Sequence, residues 1–188
     1  MAGRSEVAGA AWRHGANVLR ALARNLEAAA GPAALEPPLD HASARDAVTL
    51  LGWRGESSSE VLQEALGLSQ PACVRVVDRL ATAGLVTRRR MPGERRLLVG
   101  LSEEGAAAAG RLSRQAREDV EGTLRAAVPP EEIEAFVVSL DRVAAVAFGA
   151  ATDTVRFCRS CDVPACIGEG RACPSDVTCR ANLAARDG

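Results

Sequence analysis

Residues 57–105 read SSSEVLQEALGLSQPACVRVVDRLATAGLVTRRRMPGERRLLVGLSEEG. This stretch predicts two short helices, two short strands joined by a polar turn, and the start of a capped helix. Ser57 and Glu60 stand at capping-box spacing, which predicts the start of the first helix. Gly67 is expected to end it, because glycine accepts the left-handed conformation of a helix terminus. Ser69 is expected to cap the second helix, and Pro71 fits its first turn, where the amide has no intrahelical acceptor. Within that helix Cys73, Val77 and Leu80, with Val76 beside them, form an apolar stripe, while Arg75, Arg79 and Thr82 lie on the other side. Gly84 ends it. Leu85-Val86 opens a strand into Arg88-Arg89-Arg90, Met91 to Glu94 turn the chain, and Arg95 to Leu101 return it. A helix pair followed by a basic hairpin is the layout of a winged helix-turn-helix, with the second helix shaped for a DNA major groove.

The charge distribution agrees. The whole chain of 188 residues carries a formal net charge of −1, which by itself says nothing for nucleic acid. Between Arg75 and Arg96, however, seven arginines face two acids, Asp78 and Glu94, a local excess of five positive charges. Arginine is the only basic side chain besides histidine, and its planar fork suits phosphate and guanine. Arg75 and Arg79 alone would be no more than a solvated helix face. Joined to the capped helix pair and the arginine hairpin, they are candidate base-reading or backbone-reading residues. Ser69 and Gln70 are placed to meet phosphates or base edges, and Arg90, Arg95 and Arg96 to reach the minor groove or flanking phosphates.

The same string resembles the MarR family of bacterial transcriptional regulators. The resemblance is carried by Ser69-Gln70-Pro71, Arg75, Val77-Asp78-Arg79-Leu80, Gly84-Leu85-Val86 and Leu101-Ser102-Glu103-Glu104-Gly105. It implies a mainly α fold: a winged helix-turn-helix with a small β-hairpin wing and a helical dimerisation region formed by N- and C-terminal helices. It further implies a homodimer that binds a double-stranded operator, most often as a repressor. The chain departs from the family pattern at Met91 and Glu94, where Asp is usual, in a wing about one residue shorter, and at Val74, where a small polar residue is usual.

The flanking segments fill in that plan. Residues 1–9 are expected to form a loose tail. Ala10 to Ala30 has helical periodicity, with Ala11, Val18, Leu19, Leu22 and Leu26 on one face, and the proline-rich stretch to Asp40 is a linker. A short helix is expected from Ser43 to Leu51, burying Ala47, Leu50 and Leu51. Ser102 should cap a long helix to Ala127, with Glu103 and Glu104 at its positive end and Leu112, Ala116, Val120 and Leu124 in a stripe. Pro129-Pro130 ends it, and a last helix spans Glu131 to Phe148, with Ile133, Phe136, Val137, Leu140 and Val143 on one side. The end helices carry more apolar surface than one small domain can cover, which marks a partner surface. The expected division is 1–42, 43–105, 106–150 and 151–188. Trp12 and Trp53 read as packing residues, Cys73 as a small core residue, and His14 and His41 as inert.

The last segment differs in composition. Cys158, Cys161, Cys166, Cys173 and Cys179 are spaced C-x2-C-x4-C-x6-C-x5-C, and the apolar residues around them are too few for a core. No apolar run reaches a membrane span, no signal peptide is evident, and a cytoplasmic protein is expected. In a reducing compartment such clustering points to metal or redox chemistry. Cys158, Cys161, Cys166 and Cys173 are the candidate ligands, with Cys179 as the alternative. Uneven spacing with a Cys173-Pro174 step suits an iron–sulfur cluster, structural zinc is the other metal, and a thiol switch the third reading. A thiol oxidoreductase working through Cys158 and Cys161 would need a strand-helix setting that this segment lacks, so no enzyme is expected. A small-molecule effector remains an alternative input, with zinc then purely structural.

Overall fold

The computed structural model describes residues 2–29, 35–90, 97–149 and 154–167. Three helices and a sheet make the centre. Helix α2 is Ala42–Arg54, α3 is Ser59–Leu66 and α4 is Gln70–Thr82. The sheet has strands β1 (Ser57–Ser58), β2 (Val86–Arg90) and β3 (Leu97–Leu101) in the antiparallel order β1-β3-β2. Val86 pairs with Leu101 and Arg90 with Leu97, while Ser57 and Ser58 pair with Val99 and Leu98 on the other edge of β3. Long helix α5 (Glu103–Ala127) crosses α2, and α1 (Ala2–Ala29) and α6 (Ile133–Gly149) flank this centre in sequence. Two short helices follow, α7 (Thr154–Cys158) and α8 (Val163–Ile167).

The helix pair is as expected, with one correction at its start. The cap of α3 is Ser58, whose hydroxyl accepts from the Val61 amide, and not Ser57. Ser57 and Ser58 form the two-residue third strand, so Ser57 is buried and gives its hydroxyl to the Gly55 carbonyl at 3.2 Å. A two-residue strand has no periodicity to read. Gly67 does end α3 in the left-handed region at φ 63°, its amide donating to the Gln63 and Glu64 carbonyls. Ser69 occupies the cap position of α4, but its hydroxyl makes no capping bond.

The core forms where the apolar faces of α2, α3, α4 and α5 meet β3. Val48, Leu50, Leu62, Leu80 and Val99 are fully buried, with Cys73, Val76 and Val77 from the predicted stripe. Trp53 packs against this cluster. In β2 only Val86 is buried and the next four residues are exposed, so the strand leaves the core after one residue and projects as a wing. The second strand was expected from Arg95. It runs from Leu97, and Arg95 and Arg96 lie outside the described residues.

Helix α5 begins as expected. The Ser102 hydroxyl accepts from the Gly105 amide at 3.0 Å and donates to the Gly84 carbonyl at 2.6 Å, so one side chain caps α5 and holds the turn after α4. Leu112 of its stripe is buried and Ala116, Val120 and Leu124 are half-buried. The other ends differ by a few residues. α2 is longer than the expected Ser43 to Leu51, and α6 starts at Ile133 because Pro130 to Glu132 form a turn.

The N-terminal expectation is corrected: α1 starts at Ala2, so residues 2–9 are helical. From Ala10 to Asn25 every side chain of α1 is exposed, and Trp12, expected to pack, is 79% exposed. Val18, Leu19 and Leu22 in α1, and Val138, Leu140, Val143 and Val146 in α6, are exposed as well. A helix exposed all round is poorly stable alone, since most helical stability in proteins comes from packing. Among the described residues no helix is long and apolar enough to cross a membrane.

Candidate nucleic-acid interface

Helix α4 is anchored on one side and open on the other. Cys73, Val76, Val77 and Leu80 are buried, whereas Ser69, Gln70, Val74, Arg75, Asp78 and Arg79 are exposed. This follows from 100° of rotation per residue, which puts positions 73, 76, 77 and 80 on one face. Arg75 and Arg79 are exposed and make no ion pair among the described residues. Ser69, at the cap position of the helix, is exposed and its hydroxyl makes no capping bond.

The wing arginines are not equivalent, and here the structure qualifies the local excess of charge. Arg88 of β2 is ion-paired with Asp78 of α4, tying the wing to the helix. Arg89 forks onto Glu56, at 3.3 Å from Nε and 2.5 Å from the terminal nitrogen, and these bonds raise its pKa further. Arg90 is exposed and makes no ion pair among the described residues. Two of the wing's positive charges are thus balanced by acids, one of them, Glu56, outside the stretch counted from the sequence. Sequence reasoning listed the arginines but missed these partners. Exposed pairs of this kind contribute about 0–1 kcal/mol each, so they set orientation more than stability.

Cys73 closes the inner side. Its sulfur lies 3.9 Å from the Ser59 carbonyl, and burial, then the charge of Glu60, pushes its thiol pKa up. The folded chain therefore holds this proton while the unfolded chain loses it at lower pH. The contribution is fully present at neutral pH and is lost as pH rises through the thiol range. Chemical unfolding in neutral and alkaline buffer should show a smaller alkaline loss in Cys73→Val than in wild type. A cavity of about 330 Å³ opens between α3, α4 and the wing, with Glu60, Gln63, Cys73, Val77, Asp78 and Arg88 in its lining.

The cysteine segment begins against this unit. Val155 of α7 is buried in the same core cluster, and α7 packs on α3. Cys158 is buried, Cys161 half-buried and Cys166 exposed. The Cys161 amide donates to the Cys158 carbonyl at 3.1 Å, and the Cys166 amide to the Asp162 carbonyl at 2.9 Å. Among the described residues no three His, Cys, Asp or Glu side chains are gathered as a metal-ligand set. Cys173 and Cys179 lie outside the described residues, and a four-thiolate site built from the tail alone would draw on at least one of them.

Comparison with known proteins agrees with this geometry. Residues 47–97 match the model of the MarR family. No curated protein matches the sequence. Among solved structures, MepR, a transcription regulator of the Staphylococcus aureus multidrug efflux pump MepA, is 17% identical with a TM-score of 0.58, over 70% of this chain and 96% of that one. A MarR family protein from Bacillus stearothermophilus is 22% identical with a TM-score of 0.59, over 70% and 91%. A mutant MarR from E. coli is 21% identical with a TM-score of 0.59, over 69% and 95%. At these identities the solved structures establish the shared winged-helix fold, and the matched segment contains the whole helix pair and the first wing strand. Through that core the chain is similar to the MarR family.

Proposed function

We propose that this chain is a sequence-specific DNA-binding transcriptional regulator, acting as a repressor and as a two-fold homodimer, with DNA binding modulated by its cysteine-rich tail. The observation that carries the reading is the outward row of α4, where Arg75 and Arg79 are exposed and make no ion pair among the described residues. In this reading α4 enters the major groove. Ser69 and Gln70 meet phosphates or base edges, Arg75 and Arg79 read guanines or backbone, and the Val74 methyls suit a thymine methyl. Arg90, with Arg95 and Arg96 of the hairpin, reaches the minor groove or adjacent phosphates. The exposed apolar residues of α1 and α6 supply the dimer surface. Binding to a site selected from random DNA, followed against salt, tests this. A linear loss of log affinity with log salt is expected, and binding that ignores both sequence and salt overturns it.

The tail reading is that Cys158, Cys161, Cys166 and Cys173, with Cys179 as alternative, bind an iron–sulfur cluster or Zn2+, the cluster being favoured by the spacing. A bound cluster would supply an oxidant- or iron-responsive centre. Protein purified without oxygen should then be coloured and contain iron and sulfide. A colourless protein with about one zinc per chain would make the metal a structural staple, and a metal-free protein would leave thiol switching.

A second reading rests on the cavity beside α4: a small-molecule-responsive regulator in which any zinc is structural. A ligand there would touch Asp78 and Arg88 and so reach the helix-to-wing pair directly. Thermal-shift screening with small organic anions tests it, and a hit must lose its effect in Arg88→Ala.

A further inference from the structure

We propose that the segment from Val155 to Asp162 is an internal clamp that positions the start of the recognition helix α4, with Arg156 as the positioning residue. The DNA-affinity part of this rests on the reading of α4 given above.

Three sets of contacts hold the clamp, each to a different helix. Val155, 7% exposed, enters the core where α7 packs on α3. The Arg159 Nε donates to Asp46 of α2 at 2.7 Å, and the Arg117 Nε of α5 donates to Asp162 at 3.3 Å. Asp46 and Asp162 are largely shielded, at 22% and 17% side-chain exposure. Charge-assisted bonds at that depth are stronger than exposed ones. The segment thereby touches α2, α3 and α5 at once.

The fourth contact reaches the turn between α3 and α4. A Cβ placed on Gly67 would lie 2.9 Å from a terminal nitrogen of Arg156 and 3.2 Å from its guanidinium carbon, so that group lies directly over Gly67. Gly67 is the left-handed cap of α3, and only Leu68 separates it from Ser69, where α4 begins. The Leu68 amide bonds back to the Gln63 carbonyl at 3.1 Å, so the turn is fixed from inside by that bond and covered from outside by Arg156. A shift of α7 therefore moves the cover of the turn that orients the α4 N-terminus.

Cys158 makes this clamp sensitive to chemistry. It is 5% exposed and one helical turn beyond Val155, on the same face of α7. Burial at that depth shields its thiol from bulky groups while α7 lies on the unit. Addition of a bulky group at Cys158 and seating of the clamp oppose each other, which couples the tail to the turn as two sites are coupled through one two-state element.

The test uses the full chain with Arg159→Asp, Asp46→Arg and the two combined, alongside Arg156→Ala and Arg156→Lys. Three quantities are measured: hydrogen exchange at the Gly67 and Leu68 amides, the alkylation rate of Cys158, and DNA affinity. Each charge reversal alone is expected to speed exchange at the turn and alkylation, and to weaken DNA binding by roughly ten-fold, within the usual range of coupling between sites. The double reversal should restore all three. Arg156→Ala should speed exchange at the turn and weaken DNA binding while Cys158 stays protected, and Arg156→Lys should recover part of both. Unchanged exchange in Arg156→Ala and both single reversals overturns the clamp. Faster exchange with unchanged DNA affinity overturns the positioning of α4 and leaves the regulator reading standing. A wild-type chain that binds no DNA fails the regulator reading, and the exchange data then decide the clamp alone.

Discussion

Replacing Arg75 and Arg79 together with alanine is expected to abolish sequence-specific DNA binding while the fold and the oligomeric state persist. Both side chains are exposed on the outer face of α4 and make no ion pair among the described residues, so their removal leaves no buried charge and opens no cavity. A good bidentate base contact is worth roughly 1–3 kcal/mol. Losing two such contacts per protomer costs on the order of a thousand-fold in affinity before the second protomer is counted. Fluorescence anisotropy on a selected site gives the affinity, and light scattering gives the oligomeric state. Arg88→Ala is the internal control. That side chain already holds Asp78, so its loss should weaken binding less and through the orientation of the wing. If the double alanine variant still bound its site tightly, α4 would not be the reading helix.

The second large effect falls on stability. Gly105→Ala is expected to destabilise the chain by about 3 kcal/mol, at the upper end of what overpacking in a tight core costs. A Cβ at Gly105 would stand 1.9 Å from the Leu85 carbonyl oxygen and 2.9 Å from its carbon. Because the obstacle is backbone, no side-chain rotamer relieves it. The same carbonyl accepts from the Ser102 amide at 3.1 Å, so α5 cannot retreat without breaking its own start. Thermal unfolding should show a shift of several degrees, and Ser102→Ala, which removes the cap and the bond to Gly84, should follow with about 1 kcal/mol. A Gly105→Ala protein as stable as wild type would mean that α5 does not seat on the α4–β2 turn as described. The clash also gives a physical reason for the run Leu101-Ser102-Glu103-Glu104-Gly105: Ser caps, the acids favour the helix start, and only glycine fits against the Leu85 carbonyl.

The sequence by itself determined the features whose causes are local. Gly67 as the stop of α3, the buried stripe Cys73, Val76, Val77 and Leu80, the cap at Ser102 and the end of α5 before Pro129-Pro130 all follow from neighbours within about four residues in the chain. The outward placement of Arg75 and Arg79 follows from the same helical arithmetic. Tertiary structure decided what depends on partners far apart in sequence. Ser57 is drawn into a strand by Val99, which moves the cap to Ser58. Arg89 is held by Glu56, 33 residues away, and Arg159 by Asp46, 113 residues away. Whether an arginine is open to DNA or already satisfied, and whether the first cysteine of the tail is buried against the winged helix, depends on which acids and apolar faces the fold brings opposite them. Hydrophobic periodicity records which side of an element is buried. It carries no record of which distant side chain meets it there, and that pairing distinguishes Arg75 and Arg79 from Arg88 and Arg89, and seats Cys158 beside the helix pair.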